Sequence, residues 1–334
     1  MTQHIRAVSL ADYVAALHGS GQTSVRWENN VYWQAGEWGS VERRPFVCFD
    51  EPSVEEMRAV FRCTSALVAA YVRKPDQQHP QNAWLYICED KDYSLAKLNA
   101  KRRENARRAL REFSYAPLDS QTLLRHGAAA YSDSRARAGL SDVGKSVFLE
   151  RFCDFLYNPA HHVIGAWRED RLCSFMYVVA VDDSAIIGVF STTDSLRYKP
   201  NNGLLHLALE GLLAHGNFRS VCYGLSTIQD ADNSEGVHDF KIKVGFEARP
   251  VHRAFVFRPC LAPFANRCSY RVLKGLECLL PRNRMVRKAS GMLSAYLGRA
   301  DWLRFPQPTP TSGGENEKVL AFPQTPQELQ KKAA

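Results

Sequence analysis

A short polar loop between two apolar segments carries residue types that bind anions. The loop contains Arg197 and Lys199, and Asn201, Asn202 and Gly203 follow at the expected start of a helix. The first backbone N–H groups of a helix have no intrahelical acceptor, so they can donate to a phosphate, and the two cations add positive charge. These five residues predict a phosphate or pyrophosphate site. The alternative is an ordinary helix start with an asparagine cap.

The segments around this loop alternate between strand and helix patterns. Apolar runs predict strands, and leucines that recur at helical spacing predict a helix that stops at Gly216. In chain order the predicted elements are the strand Ala185–Asp194, the helix Leu204–Gly216, the strand Phe218–Thr227, the helix Ser234–Phe246 and the strand His252–Pro259.

The preceding part of the chain adds further strands and helices. Ser53 with Glu56 three residues later forms a capping-box pattern at the start of one helix. The predicted helices are Val8–Leu17, Ser53–Cys63, Leu95–Phe113, Ser120–Arg137 and Val143–Tyr157, and the predicted strands are Arg44–Asp50, Ser65–Arg73, Ala83–Glu89, His161–Asp170 and Arg171–Val181. Neighbouring strands followed by strand–helix–strand units predict a mixed α/β fold, with one mixed sheet and flanking helices.

Several short motifs stand in an order that resembles a known family. They are the strand Ala185–Thr193, Tyr198, the Pro200-Asn-Asn-Gly-Leu-Leu loop, Tyr223-Gly-Leu-Ser226, and Asp239-Phe-Lys241 ahead of Gly245-Phe246. This pattern is similar to the branch of the GNAT acyltransferase superfamily that contains the Fem-type peptidoglycan aminoacyltransferases. In that family an arginine-rich helix, here Leu95–Phe113, joins two GNAT-like halves, so the resemblance implies a double-GNAT fold.

The resemblance also implies how the chain would act. In GNAT folds two parallel strands splay apart and hold the acyl group, here between Val189–Thr192 and Cys222–Ser226. The matching lysine of the Fem-type enzymes, Lys241, is implied to contact the acyl carbonyl or a substrate phosphate. Tyr223 is a candidate to protonate the leaving group, and Asp239 and His238 are candidate bases beside Lys241.

Tyr198 and Ser226 are the candidate substrate-binding residues. The resemblance implies an N-acyltransferase, similar to N-acetyltransferases, in which an amine attacks an activated acyl donor directly. The usual GNAT pyrophosphate loop is not intact here, because Tyr, Lys, Pro and two Asn separate Arg197 from Gly203. The donor therefore stays open: acyl-CoA or acyl-carrier protein as co-substrate, with no permanently bound cofactor and no metal. One alternative is an aminoacyl-tRNA-dependent Fem-type transferase, and another is a non-catalytic module at a membrane surface.

Length and composition indicate how many domains to expect. The chain has 334 residues, of which 45% are hydrophobic and 23% are charged, which suits two globular domains. Since the resemblance implies two GNAT-like halves, we predict an N-terminal GNAT-like half over 1–115 and a C-terminal GNAT-like half over 116–260. A basic helical extension over 261–304 and a disordered tail over 305–334 are expected to follow. The nine cysteines include no CxxC pair, and no secretory signal begins the sequence, so a cytoplasmic location is expected.

The predicted extension holds most of the net charge of +8. It has nine Lys or Arg residues against Glu277 and Asp301, and its leucines and methionines form an apolar stripe. A basic amphipathic pair of helices suits an anionic membrane surface, which would make the protein peripheral at the inner face of the membrane. The alternative is a helix that packs on the domain and presents a solvated basic face.

Overall fold

The structure is a computed structural model, and it describes residues 5–19, 24–27, 31–36, 39–138, 145–153, 157–216, 218–226, 234–280 and 283–298. The predicted tail, 305–334, lies outside these ranges. Within them, no helix combines the length and the apolar character that crossing a bilayer requires.

Eleven strands and ten α-helices make up the described chain. The strands are β1 (Ser24–Trp27), β2 (Val31–Ala35), β3 (Ser40–Arg44), β4 (Val68–Arg73), β5 (Ala83–Cys88), β6 (Ser114–Pro117), β7 (His161–Arg168), β8 (Arg171–Val181), β9 (Ser184–Ser191), β10 (Ser220–Leu225) and β11 (Glu247–Phe257). The helices are α1 (Leu10–Gly19), α2 (Val54–Cys63), α3 (Ala100–Glu112), α4 (Ser120–His126), α5 (Ala128–Arg137), α6 (Lys145–Cys153), α7 (Pro200–Leu209), α8 (Ser234–Lys243), α9 (Arg267–Leu279) and α10 (Arg284–Tyr296). A π-helical turn, Glu210–Ala214, extends α7.

All the strands belong to one mixed sheet, in the order β1-β2-β3-β4-β11-β5-β10-β9-β8-β7-β6. The pairs β3–β4 and β9–β10 are parallel, and the other neighbours are antiparallel. Helices flank this sheet, so the predicted mixed α/β fold class is confirmed.

The strand that comes last in the sequence, β11, joins the two parts of the chain within the sheet. The residues of β11 from Glu247 to Val251 pair with β5, and those from His252 to Phe257 pair with β4. A strand from the C-terminal part therefore lies between two strands of the N-terminal part. The boundary at residue 115 stays a prediction within this shared sheet.

Helix α7 fills the core on one face of the sheet. Its side chains Leu204, Leu205 and Leu209 are fully buried, and they pack with apolar residues of β8, β9 and α3. Helix α3 buries its small residues Ala106 and Ala109 and leaves most of its basic residues toward solvent. The close contact between α3 and α7 thus sets basic side chains beside the start of α7.

Most predicted elements have shifted ends in the structure; the helix predicted from Leu204, for example, begins at Pro200. Two predictions differ by more than such a shift. The strand prediction Arg44–Asp50 is wrong, because β3 ends at Arg44 and Pro45 has no N–H group to donate to a sheet neighbour. The predicted helix Ser120–Arg137 is two helices that meet at Gly127. The elements from β9 to β11 follow the predicted order, strand, loop, helix, strand, helix, strand.

Candidate active site

The parallel strands β9 and β10 separate after three paired positions. Their pairs are Ser220 with Ser184, Val221 with Ala185 and Cys222 with Ile186. Beyond this point β9 continues along β8, β10 continues along β5, and the two strands form no further pair among the described residues. The splay that the resemblance implied is therefore present beside Val189 and Tyr223.

An irregularity in β10 exposes a backbone carbonyl at this splay. The register between β10 and β5 shifts between Cys222 and Leu225, and Gly224 has a left-handed φ of 77°. A bulge of this kind leaves a backbone group without a ladder partner. The carbonyl oxygen of Tyr223 accepts a hydrogen bond of 3.0 Å from Nζ of Lys241.

Lys241 is a buried cation on α8. Lys241 is 8% exposed, and its Nζ lies 4.0 Å from the ring centroid of Tyr86 and 4.6 Å from that of Tyr223. Burial disfavours the charged amine and lowers the pKa of Lys241 from 10.5 to about 8. At neutral pH most of the amine is still protonated, and the two aromatic faces stabilise that charge.

A histidine and a tyrosine form a second buried pair beside the lysine. Nδ1 of His238 lies 2.9 Å from the hydroxyl of Tyr86, and the ring of His238 is 5.6 Å from that of Trp84. Burial lowers the pKa of His238, the charge of Lys241 lowers it further, and Asp239 opposes both effects. The imidazole is therefore neutral at pH 7 and able to accept a proton.

Sequence reasoning missed Tyr86 and Trp84. Both lie in the apolar strand β5, where aromatic residues are common in a core, and no spacing pattern marks them. Burial raises the pKa of Tyr86, so its hydroxyl stays protonated. The indole N–H of Trp84 is buried and has no hydrogen-bond partner among the described residues, which leaves a donor beside His238.

The other predicted residues of this region have different surroundings. The ring of Tyr223 packs 5.3 Å from that of Phe246, and burial raises the pKa of its hydroxyl. Ser226 ties β10 to β5, since its N–H donates to Trp84 O at 2.8 Å and its hydroxyl accepts from Trp84 N at 3.0 Å. Asp239 is half exposed and pairs with Lys243 at the surface of α8. The structure thus brings Lys241 to Tyr223 and directs Asp239 elsewhere.

Three arginines surround Tyr198 at the predicted anion site, and we call them the Tyr198 arginine cluster. The guanidinium carbons of Arg168, Arg197 and Arg108 lie 4.1, 4.6 and 5.7 Å from the Tyr198 ring centroid. Arg168 also lies 3.6 Å from the carboxylate of Glu112. Strand β7, the loop before α7 and helix α3 each supply one arginine, so the fold concentrates positive charge there.

The predicted loop residues divide into exposed cations and buried amides. Arg197 and Lys199 are exposed, whereas Asn202 and Gly203 are buried. The side chain of Asn201 accepts a hydrogen bond from Ser174 and donates a weak one to Ser191. The asparagines and the glycine therefore position the start of α7, and the two cations are available to a ligand.

Comparisons with known proteins find similarity only among solved structures. No family model matches the sequence, and no curated protein matches it. The crystal structure of FemX is 11% identical, with a TM-score of 0.49 over 72% of this chain and 89% of that one. L-PGS from Bacillus licheniformis is 11% identical, with a TM-score of 0.46 over 76% and 93%. A tandem GNAT protein from the clavulanic acid biosynthesis pathway is 10% identical, with a TM-score of 0.42 over 74% and 87%. Fem-type and tandem GNAT proteins, which the sequence motifs resemble, are thus among the structures to which this chain is similar.

Proposed function

We propose that this chain is an acyltransferase of the GNAT type, which transfers an acyl group from an activated donor to an amine by direct attack. The observation that carries this proposal is the buried amine of Lys241, held by the Tyr223 carbonyl at the splay between β9 and β10. In the reaction the amine nitrogen bonds to the acyl carbonyl carbon, and the thiolate or ester oxygen of the donor leaves. The ammonium of the acceptor loses its proton.

Lys241 stabilises the negative charge that develops on the carbonyl oxygen. One N–H of its amine donates to Tyr223, and an ammonium has three donors, so two can serve a substrate oxygen. The cation lies in a site with little water, where a charge interacts strongly with a developing oxyanion.

The His238–Tyr86 pair takes up the proton that the acceptor amine loses. In the tautomer whose Nδ1–H donates to the Tyr86 hydroxyl, Nε2 of the neutral His238 accepts the proton of the attacking amine, and the bond to Tyr86 fixes the plane of the ring. The hydroxyl of Tyr223, whose pKa burial raises, protonates the leaving group. Asp239 takes part through its charge, which raises the pKa of His238 from the surface of α8.

Acyl-CoA or an acyl-carrier protein is the proposed donor. The Tyr198 arginine cluster and Lys199 lie at the start of α7, and α7 packs against β9, one of the two splayed strands. The pyrophosphate of CoA, or the phosphate of a carrier-bound pantetheine arm, would bind there and extend its thioester toward the splay.

Aminoacyl-tRNA is the second candidate donor. The exposed basic residues of α3, which include Lys101, Arg107 and Arg111, continue the positive surface beyond the Tyr198 arginine cluster. A surface of that length suits a polynucleotide, and binding to it would weaken steeply with salt. Acceptance of an aminoacyl group from charged tRNA but not from acyl-CoA would favour this candidate.

The test combines native mass spectrometry with turnover. Protein purified gently from its own cells is inspected for a bound mass of CoA, acyl-CoA, carrier protein or tRNA. Each donor is then supplied with a mixture of amines, and the released thiol or uncharged tRNA is measured for the wild type, Lys241→Met and Lys243→Met. We expect Lys241→Met to lower the rate about 100-fold or more. Lys243, which pairs with Asp239 on the same helix, is the matched control. An unchanged rate in Lys241→Met would exclude the proposed mechanism.

A further inference from the structure

A large polar cavity lies on the face of the sheet opposite to α7. Ile187 of β9 packs in the core with the leucines of α7, and its neighbour Ile186, which points to the other face, lines the cavity together with Tyr177. The volume of the cavity is about 580 Å³, which is within the range of about 300–1,000 Å³ that is usual for ligand pockets.

Positive charge dominates the lining of this cavity. Arg44, Arg151 and Lys288 face one acidic residue, Glu42. The carboxylate of Glu42 is already paired with Arg253 at 2.6 Å and with Arg44 at 2.8 Å, and these cations hold its pKa below the usual range although burial opposes them. Nε of Arg44 is buried and has no hydrogen-bond partner among the described residues. A cavity lined by three cations and one carboxylate favours an anionic ligand.

An apolar groove adjoins the polar cavity. Its volume is about 570 Å³, and α9, α10 and the neighbouring strands β4 and β11 form its walls through residues such as Val68, Phe257, Leu273 and Met292. Lys288 of α10 lines both the groove and the polar cavity. Lys288 therefore borders both spaces, and a lysine has an apolar stem that suits the groove and an amine that suits the cavity.

The surface around the groove is also apolar. Of the eleven large hydrophobic side chains that are exposed in the described part of the chain, seven lie between Phe264 and Tyr296. Phe264 is 66% exposed and Leu279 is 77% exposed. Exposed apolar side chains that cluster in one segment indicate a binding surface.

We propose that the cavity and the groove together bind one anionic lipid molecule. Its acyl chain lies in the groove between α9, α10 and the sheet, its phosphate-bearing head lies in the cavity against Arg44, and Lys288 marks the boundary between them. The polar cavity, with a volume of about 580 Å³, has room for a head that is larger than a carboxylate alone. This site is separate from Lys241, and its occupancy is measured without turnover.

Binding of 1-palmitoyl-glycerol 3-phosphate to the full chain tests the proposal. The titration is followed by calorimetry, with the lipid below its micelle concentration. Two fragments of the same molecule are the ligand controls: glycerol 3-phosphate has the head without the chain, and monopalmitoylglycerol has the chain without the charge. We expect the intact lipid to bind at least about tenfold more tightly than either fragment, because only it fills both spaces.

Two substitutions separate the two spaces. Lys288→Gln should weaken binding of the lipid about tenfold without changing that of monopalmitoylglycerol. Ala289→Phe fills the groove, and it should abolish the advantage of the intact lipid over glycerol 3-phosphate. Lys274→Gln removes a lysine of the same helix pair that lines neither space, and it should change nothing.

Melting curves of each variant show that it is folded. The proposal is overturned if either fragment binds as tightly as the intact lipid. It is equally overturned if folded Lys288→Gln and Ala289→Phe proteins keep the wild-type affinity. Wild-type turnover in a protein that does not bind the lipid would overturn this inference and leave the proposed acyl transfer intact.

Discussion

Nζ of Lys241 donates a hydrogen bond of 3.0 Å to the carbonyl oxygen of Tyr223, the residue that follows the last pair between β10 and β9. The bulge that frees this carbonyl and the splay of the parallel strands are thus the same local event. Because the bond fixes the amine at the splay, a buried cation lies where a GNAT-type reaction would develop negative charge.

Because Lys241 has a lowered pKa, we predict how kcat changes at alkaline pH. As the pH rises through about 8, the amine loses its proton and the developing oxyanion loses its counter-charge, so kcat should fall. In Lys241→Arg the side chain stays charged throughout this range, and the alkaline fall should disappear from whatever activity remains. Steady-state rates from pH 6 to 10 with the donor identified above provide the measurement. A wild-type rate that climbs steadily through pH 8 would instead assign Lys241 the role of a base.

The same pKa makes Lys241 a source of instability at neutral pH. The folded protein binds this proton with a pKa of about 8 and the unfolded chain near 10.5, so between these values the unfolded state holds more protons and stability rises with pH. Lys241→Met removes the buried cation and should stabilise the protein at pH 7 by on the order of 1–3 kcal/mol. The gain should shrink toward pH 10. Urea unfolding at pH 7 and 9.5 measures it, and a variant that is less stable than wild type at pH 7 would contradict the expected cost of burial.

Gly203 is predicted to be essential for the contact between α3 and α7. A Cβ at this position would overlap the hydroxyl of Tyr115, and it would lie 2.7 Å from Cζ of Tyr115 and 3.0 Å from Cβ of Ala109. Gly203→Ala should therefore lower the free energy of unfolding by about 1–3 kcal/mol. Gly236→Ala is the matched control, because a Cβ there meets nothing within 4 Å and alanine favours a helix.

Tyr115→Phe tests the cause of that loss. The hydroxyl of Tyr115 is buried without a hydrogen-bond partner among the described residues, so its removal alone should cost little. In the double variant with Gly203→Ala, part of the lost stability should return, since the overlapping atom is gone. Strictly additive losses in urea unfolding would place the strain elsewhere.

The Tyr198 arginine cluster is predicted to bind the phosphates of the donor. Arg168→Gln and Arg197→Gln should each raise the Kd for CoA about tenfold, and the affinity of the wild type should fall as salt increases. Arg125→Gln, an exposed position on α4, is the control for a general loss of positive charge. Equal affinities in all four proteins would show that the donor binds at another surface.

The sequence by itself determined the local elements. Periodic leucines placed α7, alternating apolar runs placed β7 and β8, and Ser53 capped α2 by accepting a hydrogen bond from the N–H of Glu56. These features depend on neighbours within a few residues, which is why a pattern in the chain reports them. The order of elements was within reach for the same reason, whereas Lys241 was predicted from the resemblance to Fem-type enzymes.

Only the tertiary structure decided what these elements bring together. The side chain of Glu56, expected to return to the cap of α2, instead forms a buried ion pair with Arg43. Tyr86 meets His238 across 152 positions of sequence, because β11 enters the sheet beside β5 and carries α8 with it. Such contacts follow from the burial of apolar faces and from strand pairing over long separations, and no local pattern encodes either. Long-range packing therefore built the candidate site around a lysine that the sequence could only point to.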